Sequence, residues 1–93
     1  MNSYRIFETN EFQKKVDKLP PDNQSFIQKK LTNYVCPQLK KEPHYGNNIK
    51  KLKGYNPDTW RYRIGKLRIF YSIDPKQKIV NLLTIDFRKD AYN

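Results

Sequence analysis

The residues best suited to chemistry in this sequence are cations at a regular spacing. Trp60-Arg61-Tyr62-Arg63-Ile64 alternates in character, as does Leu67-Arg68-Ile69-Phe70-Tyr71-Ser72-Ile73, and Gly65-Lys66 separates the two runs. A two-residue loop that begins with Gly fits a tight hairpin turn. That turn fixes the pairing: Ile64 opposite Leu67, Arg63 opposite Arg68, Tyr62 opposite Ile69, Arg61 opposite Phe70. Period-two alternation then places the apolar set on a covered face and crowds Arg61, Arg63 and Arg68 on the open one. Like charges directly across a sheet repel, at a cost of up to ~1 kcal/mol per pair. A face with no task would carry Thr, Glu or Ser at lower cost. Guanidiniums offer planar donor forks that suit phosphate, so the cluster points to phosphate binding. Phe70 beside them is the composition expected where bases stack and phosphates are clamped. Cover by a loop or a partner segment is the other reading of Phe70.

Arg88 and Tyr92 follow the third strand of this half. If that strand lies beside Leu67–Ile73, its end brings both to the same open face. Tyrosine acts as an acid or base when flanking cations lower its pKa. A frayed C-terminus is the alternative, and spacing alone does not choose.

Conventional catalytic groups are missing. His44 is the single histidine and lies in a loop, so it reads as a surface residue. No carboxylate pair stands out, and Glu8, Glu11, Asp17 and Asp22 fall in the other half. No HxxxH or Asp-x-Asp cluster suggests a metal, so neither metal nor cofactor is expected. Gly46 and Gly54 form no phosphate loop of a standard pattern. Cys36, the one cysteine, makes neither an intramolecular disulfide nor a cysteine zinc site, and reads as buried filler. An enzyme built on these residues works by cations and orientation.

The elements that must position the cations divide the chain into a helical first half and a strand-rich second half. Ser3–Glu8 reads as a strand with Tyr4, Ile6 and Glu8 facing one way. Thr9 and Asn10 offer helix-capping oxygens, and Asn10 with Gln13 loosely fits a capping box. Phe12, Val16 and Leu19 follow at helical spacing. Pro20 and Pro21 break that helix. Asp22 can cap a second one, with Phe26, Ile27, Leu31, Tyr34 and Val35 as its apolar stripe and Pro37 as its end. Gln38–Lys53 has no clear period and holds loop residues. Its lysines, Lys50, Lys51 and Lys53 among them, are ordinarily a solvated surface. Two strands and the hairpin turn then follow, and Ile79–Phe87 is a third, more apolar strand. The fold class is α+β: an N-terminal strand, a two-helix hairpin packed on one face of an antiparallel sheet, and three C-terminal strands completing that sheet. At 93 residues a single domain over 1–93 is expected.

Charge narrows the partners. Lys and Arg total 19 against 9 Asp and Glu, a formal net charge of +10. Such an excess favours polyanions: nucleic acid, an anionic membrane or an acidic protein. No apolar run approaches the ~20 residues that span a bilayer. No apolar signal core follows Met1-Asn2-Ser3-Tyr4-Arg5, so a cytoplasmic location without membrane contact is expected.

The assembled residues resemble the RelE/ParE toxin superfamily over nearly the whole chain. The most specific part is Lys51-Leu52-Lys53-Gly54 followed by Trp60 through Tyr71, similar to a family run of the form KLKG … YRxRxGxYRxxY. The second part is Phe87-Arg88-Lys89-Asp90-Ala91-Tyr92, similar to a terminal HRxxxY. The resemblance implies a RelE-like sheet with two helices on one face. It also implies a type II toxin that cleaves mRNA in the A site of the 70S ribosome, without a metal, through attack of a 2′-hydroxyl on the adjacent phosphate. Arg61 and Arg63 then hold the RNA backbone, and one of them helps to activate the hydroxyl. Arg68 and Arg88 stabilise charge on the phosphate, and Tyr92 stacks on a base or protonates the leaving 5′-oxygen. Lys50, Lys51, Lys53, Lys66, Phe70, Phe87 and Lys89 become the RNA- and ribosome-binding set. A cognate antitoxin is implied as partner, with operator DNA reached only through the antitoxin complex.

Two departures from the family pattern bear on mechanism. Some relatives carry lysine where Arg61 and Arg63 stand, and arginine deprotonates far less readily, which favours clamping over general-base chemistry. Many have histidine where this chain has Phe87. Other readings are a ParE-like DNA gyrase poison on the same fold, a non-catalytic RNA- or ribosome-binding module, and a degenerate toxin kept for its antitoxin contact. The full set Arg61, Arg63, Arg68, Arg88 and Tyr92 separates the nuclease from the gyrase poison, which is expected to lack it.

Overall fold

Gly65 turns the hairpin with φ +57°, the left-handed conformation that glycine adopts without steric cost. In the computed structural model, which describes residues 3–88, the strands on either side pair as the turn dictates. β3 (Trp60–Ile64) and β4 (Leu67–Asp74) are antiparallel, with Ile64↔Leu67, Arg63↔Arg68, Tyr62↔Ile69 and Arg61↔Phe70. The chain before them forms β1 (Arg5–Glu8), α1 (Asn10–Asp17), α2 (Pro21–Lys30), a π-helical turn (Leu31–Val35), α3 (Cys36–Lys41) and β2 (Ile49–Lys51). β5 (Ile79–Phe87) ends the described part of the sheet, whose order is β1-β5-β4-β3-β2.

Apolar side chains from the inner face of β3, β4 and β5 meet those of the helices. Phe12, Ile27, Val35, Leu39, Leu67, Ile69, Tyr71, Val80 and Leu82 are all fully buried. Two buried tyrosines keep hydrogen-bond partners. The Tyr71 hydroxyl donates to the Pro43 carbonyl at 2.7 Å, and the Tyr62 hydroxyl to Oε1 of Gln38 at 2.6 Å. An unpaired hydroxyl at such depth costs on the order of 1–3 kcal/mol, which these bonds avoid.

The structure corrects the sequence reading in several places. The sheet is mixed, because β1 pairs with β5 in parallel, Arg5↔Ile79 to Glu8↔Leu82. β2 forms within the stretch read as loop, pairing Ile49↔Tyr62, Lys50↔Arg61 and Lys51↔Trp60. Three residues rich in lysine carry too little alternation to announce a strand. The second helix does not end at Pro37 but continues to Lys41. Proline lacks an N–H and its ring crowds the carbonyl four residues back; the widened π turn just ahead absorbs both defects. Tyr34 is not core: it is exposed on the outer surface, with Nζ of Lys30 4.6 Å from its ring centre.

One irregularity in β5 sets which residues face outward. Phe70 pairs with Thr84 but Tyr71 pairs with Leu82, so Leu83 is an extra residue, a β-bulge. Val80 and Leu82 point to the core before it, and Ile85 after it. Without the bulge, strict alternation would send Thr84 and Asp86 inward. Thr9 fastens this spot. Its hydroxyl lies 2.9 Å from the Leu82 carbonyl and 3.0 Å from the Leu83 carbonyl, and accepts from the Phe12 N–H at 3.1 Å as the N-cap of α1. The capping oxygen therefore comes from Thr9, and Asn10 is already helical.

Candidate functional site

On the open face the strands form two rows across the sheet. Lys50, Arg61, Phe70 and Thr84 make one, and Arg63, Arg68 and Asp86 the next. Leu52, Tyr55, Thr59, Arg61, Arg68, Phe70, Leu83, Thr84 and Asp86 line a cleft of about 510 Å³. Its floor is the sheet, and Tyr55 rises from the loop between β2 and β3 with 54% of its surface exposed. A cleft walled by arginine and floored by aromatic and apolar groups has the parts a nucleotide needs.

Arg61 carries a buried donor. Its Nε is buried and meets no hydrogen-bond partner among the described residues. Burial is the first cause that pulls its guanidinium below the usual arginine range, and the charges of Arg63, Arg68 and Arg88 follow. The group remains protonated at any physiological pH. Those same couplings place the other three guanidiniums within electrostatic reach of Arg61. Such a cluster is a concentrated positive field with an unmet donor inside it, which is the electrostatic image of a phosphate.

Arg68 is held on two sides. Its Nε donates to Oδ1 of Asp86 at 2.9 Å and its Nη2 to Oδ2 at 3.0 Å. Its guanidinium carbon stands 5.4 Å from the centre of the Phe70 ring, a cation–π distance. Arg88 reaches back under the hairpin, its Nη1 donating to the Gly65 carbonyl at 3.1 Å and its backbone N–H to the Lys66 carbonyl at 2.8 Å.

The remaining expected residues are spread more widely. Lys50 shares the open face with Arg61, while Lys51 lies toward the other face, 5.5 Å from the Trp60 ring centre and 3.2 Å from Asp58. Lys53 and Lys66 are exposed in turns. Phe87 pairs with Leu67 and packs against the core, on the face of the sheet away from Asp86. Lys89 and Tyr92 lie outside the described residues. His44 is in a loop but is not a bare surface group: it packs edge-on to Trp60 at 5.6 Å, with Nδ1 3.0 Å from Oε2 of Glu42. Cys36 is half-buried, and burial followed by the charge of Glu8 pushes its thiol up, away from the reactive thiolate.

Asp86, Thr84, Thr59, Leu52 and Tyr55 belong to the cleft without having been foreseen. Tyr55 sits in an aperiodic loop, and Asp86 needs the bulge to come outward; neither fact is visible in a strand pattern.

Comparison with known proteins agrees with this architecture. No curated protein matches the sequence. Among solved structures, the RelBE2 toxin–antitoxin complex of Mycobacterium tuberculosis superposes with a TM-score of 0.72 at 26% identity, covering 92% of this chain and 99% of that one. The archaeal RelE–RelB complex of Pyrococcus horikoshii OT3 gives 0.71 at 24%, over 94% and 97%. The isolated E. coli RelE toxin gives 0.67 at 20%, over 97% and 92%. The family model described as the ParE toxin of the type II toxin–antitoxin system, parDE, matches residues 6–92. The chain belongs to the ParE toxin family of type II toxin–antitoxin systems, within the RelE/ParE superfamily.

Proposed function

We propose that this toxin is a metal-independent endoribonuclease that cleaves mRNA in the ribosomal A site and so stops translation. The observation that carries the reading is the convergence of Arg61, Arg63, Arg68 and Arg88 on one face, with a buried, unmet Nε at Arg61. In the reaction the 2′-oxygen of one nucleotide attacks the adjacent phosphorus, the P–O5′ bond breaks, and the products are a 2′,3′-cyclic phosphate and a 5′-hydroxyl. Negative charge on the non-bridging oxygens grows in the transition state. Fixed guanidiniums stabilise it there more than in the ground state, which is how such a site accelerates the step. Arg61 and Arg63 clamp the backbone, Arg68 and Arg88 meet the developing charge, and Phe70 stacks on a base. Tyr92 is the candidate for the proton that the 5′-oxygen receives.

A cognate antitoxin completes the system. The M. tuberculosis and P. horikoshii relatives are seen in complex with theirs, and the +10 charge here suits an acidic segment laid over the basic face. Operator DNA is reached through that complex, and the cytoplasm is where it operates.

A second reading, a gyrase poison, is favoured by the parDE family match. Primer extension on a reporter mRNA in a purified translation system decides, with wild type beside Arg68→Ala and Tyr92→Phe. Ribosome-dependent cuts within the A-site codon that fade in both variants are the expected result. Intact mRNA, together with loss of supercoiling in a gyrase assay, establishes the poison instead.

A further inference from the structure

A carboxylate in the wall of an RNA-binding cleft is counterproductive for binding alone, since it repels the phosphate that the arginines attract. Asp86 stands there all the same, directly opposite Arg68 and in the row shared with Arg63. Its outward position depends on the extra residue Leu83, which Thr9 holds with its hydroxyl. The carboxylate takes two of the five donors of the Arg68 guanidinium, through Nε and Nη2. The same guanidinium lies over the Phe70 ring, its carbon 5.4 Å from the ring centre. Arg63, on the other side, pushes Arg68 by like charge toward Asp86, which draws it the same way.

We propose that Asp86 is a positioning residue that locks Arg68 into a preset phosphate clamp, at the expense of ground-state affinity for RNA. The proposal rests on reading this face as the RNA site. An arginine side chain has many rotamers, and leaving one unrestrained beside three like charges would let it swing outward. Fixing it means that the transition state meets a donor fork already in place. The carboxylate remains a nearby negative charge in the ground state, so its removal acts oppositely on binding and on chemistry.

Three measurements on the full-length toxin test this. Nitrogen-15 NMR of arginine side chains reads the Arg68 Nε–H directly. It is expected to be ordered and slow to exchange in wild type, and averaged in Asp86→Asn, a variant of nearly equal shape. On programmed ribosomes, Asp86→Asn is expected to lower the single-turnover cleavage rate roughly 10- to 100-fold. Its affinity for mRNA carrying a 2′-deoxy nucleotide at the cut, which cannot react, is expected to stay equal or rise a few-fold. Asp86→Glu, which keeps the charge, recovers part of the rate. Rate and affinity falling together, or a rate that rises, overturns the proposal. If wild type leaves mRNA intact, the nuclease reading fails and the NMR comparison still decides about Asp86: an Arg68 Nε–H equally ordered in Asp86→Asn overturns the lock.

Discussion

Arg61→Met is expected to make this protein more stable while it silences the site. Methionine keeps an unbranched apolar stem over the sheet and removes the guanidinium. Two costs disappear with that group. A buried donor without a partner costs on the order of 1–3 kcal/mol, and Nε of Arg61 is one among the described residues. Like charges across strands add roughly 0.2–1 kcal/mol per pair; Lys50 is directly across from Arg61, and Arg63, Arg68 and Arg88 are coupled to it. Partial exposure and solvent screening reduce the second contribution, and lost contacts of the guanidinium offset part of the first. The net gain expected is about 1 kcal/mol at low salt, or a rise in Tm of about 4–8 °C for a domain of this size. Urea denaturation at 20 mM and at 1 M NaCl measures it. The charge contribution fades at the higher salt, where the screening length is about 3 Å, while the desolvation contribution persists. The proposed cleavage, followed in parallel by primer extension, is expected to fall about 100-fold or more in the variant. A variant no more stable than wild type at 20 mM NaCl, or one whose difference ignores salt, refutes the claim that the face carries strain for the sake of an anion.

Three further outcomes test the scaffold. Gly65→Ala is expected to cost about 2 kcal/mol in urea denaturation, because φ is +57° and the new Cβ lies 2.8 Å from Cζ of Phe26; adding Phe26→Leu recovers only the clash. Thr9→Val removes the α1 cap and the hold on the bulge, and is expected to lose about 1–2 kcal/mol by the same measurement. Tyr71→Phe leaves the Pro43 carbonyl without its 2.7 Å donor, a loss of about 1–2 kcal/mol at pH 7. Burial raises the Tyr71 phenol well above its ordinary value, and the Tyr62 phenol in the same direction. A group whose folded value is raised stabilises below its unfolded value and loses that contribution as pH climbs. Stability is therefore expected to decline above about pH 10, and Tyr71→Phe to flatten part of that decline in a pH series of denaturation midpoints.

The hairpin and its arginines were legible because one glycine fixed the register, and register fixed the faces. Arg61, Arg63 and Arg68 could be assigned to one side from spacing alone. β2 was not legible, since Ile49-Lys50-Lys51 is held by pairing with β3 and by no pattern of its own. Asp86 was hidden for a subtler reason. Counting by twos from Val80 puts it in the core, where a lone carboxylate would be untenable; only the insertion at Leu83, anchored by a threonine 74 residues away in sequence, reverses the count. Pro37 misled because it normally ends helices, and here a π turn accommodates it.

The parallel pairing of β1 with β5 also sets a timetable. Glu8 and Ile79 are separated by 71 residues, so at synthesis rates of ~5–20 residues per second β1 waits about 4–14 s for its neighbour. β5 joins β1 to β4 and at the same time delivers Thr84 and Asp86 to the cleft. A nascent chain that has not yet made β5 has neither a closed sheet nor a finished site. Completion of the sheet and completion of the candidate cleft are thus one event.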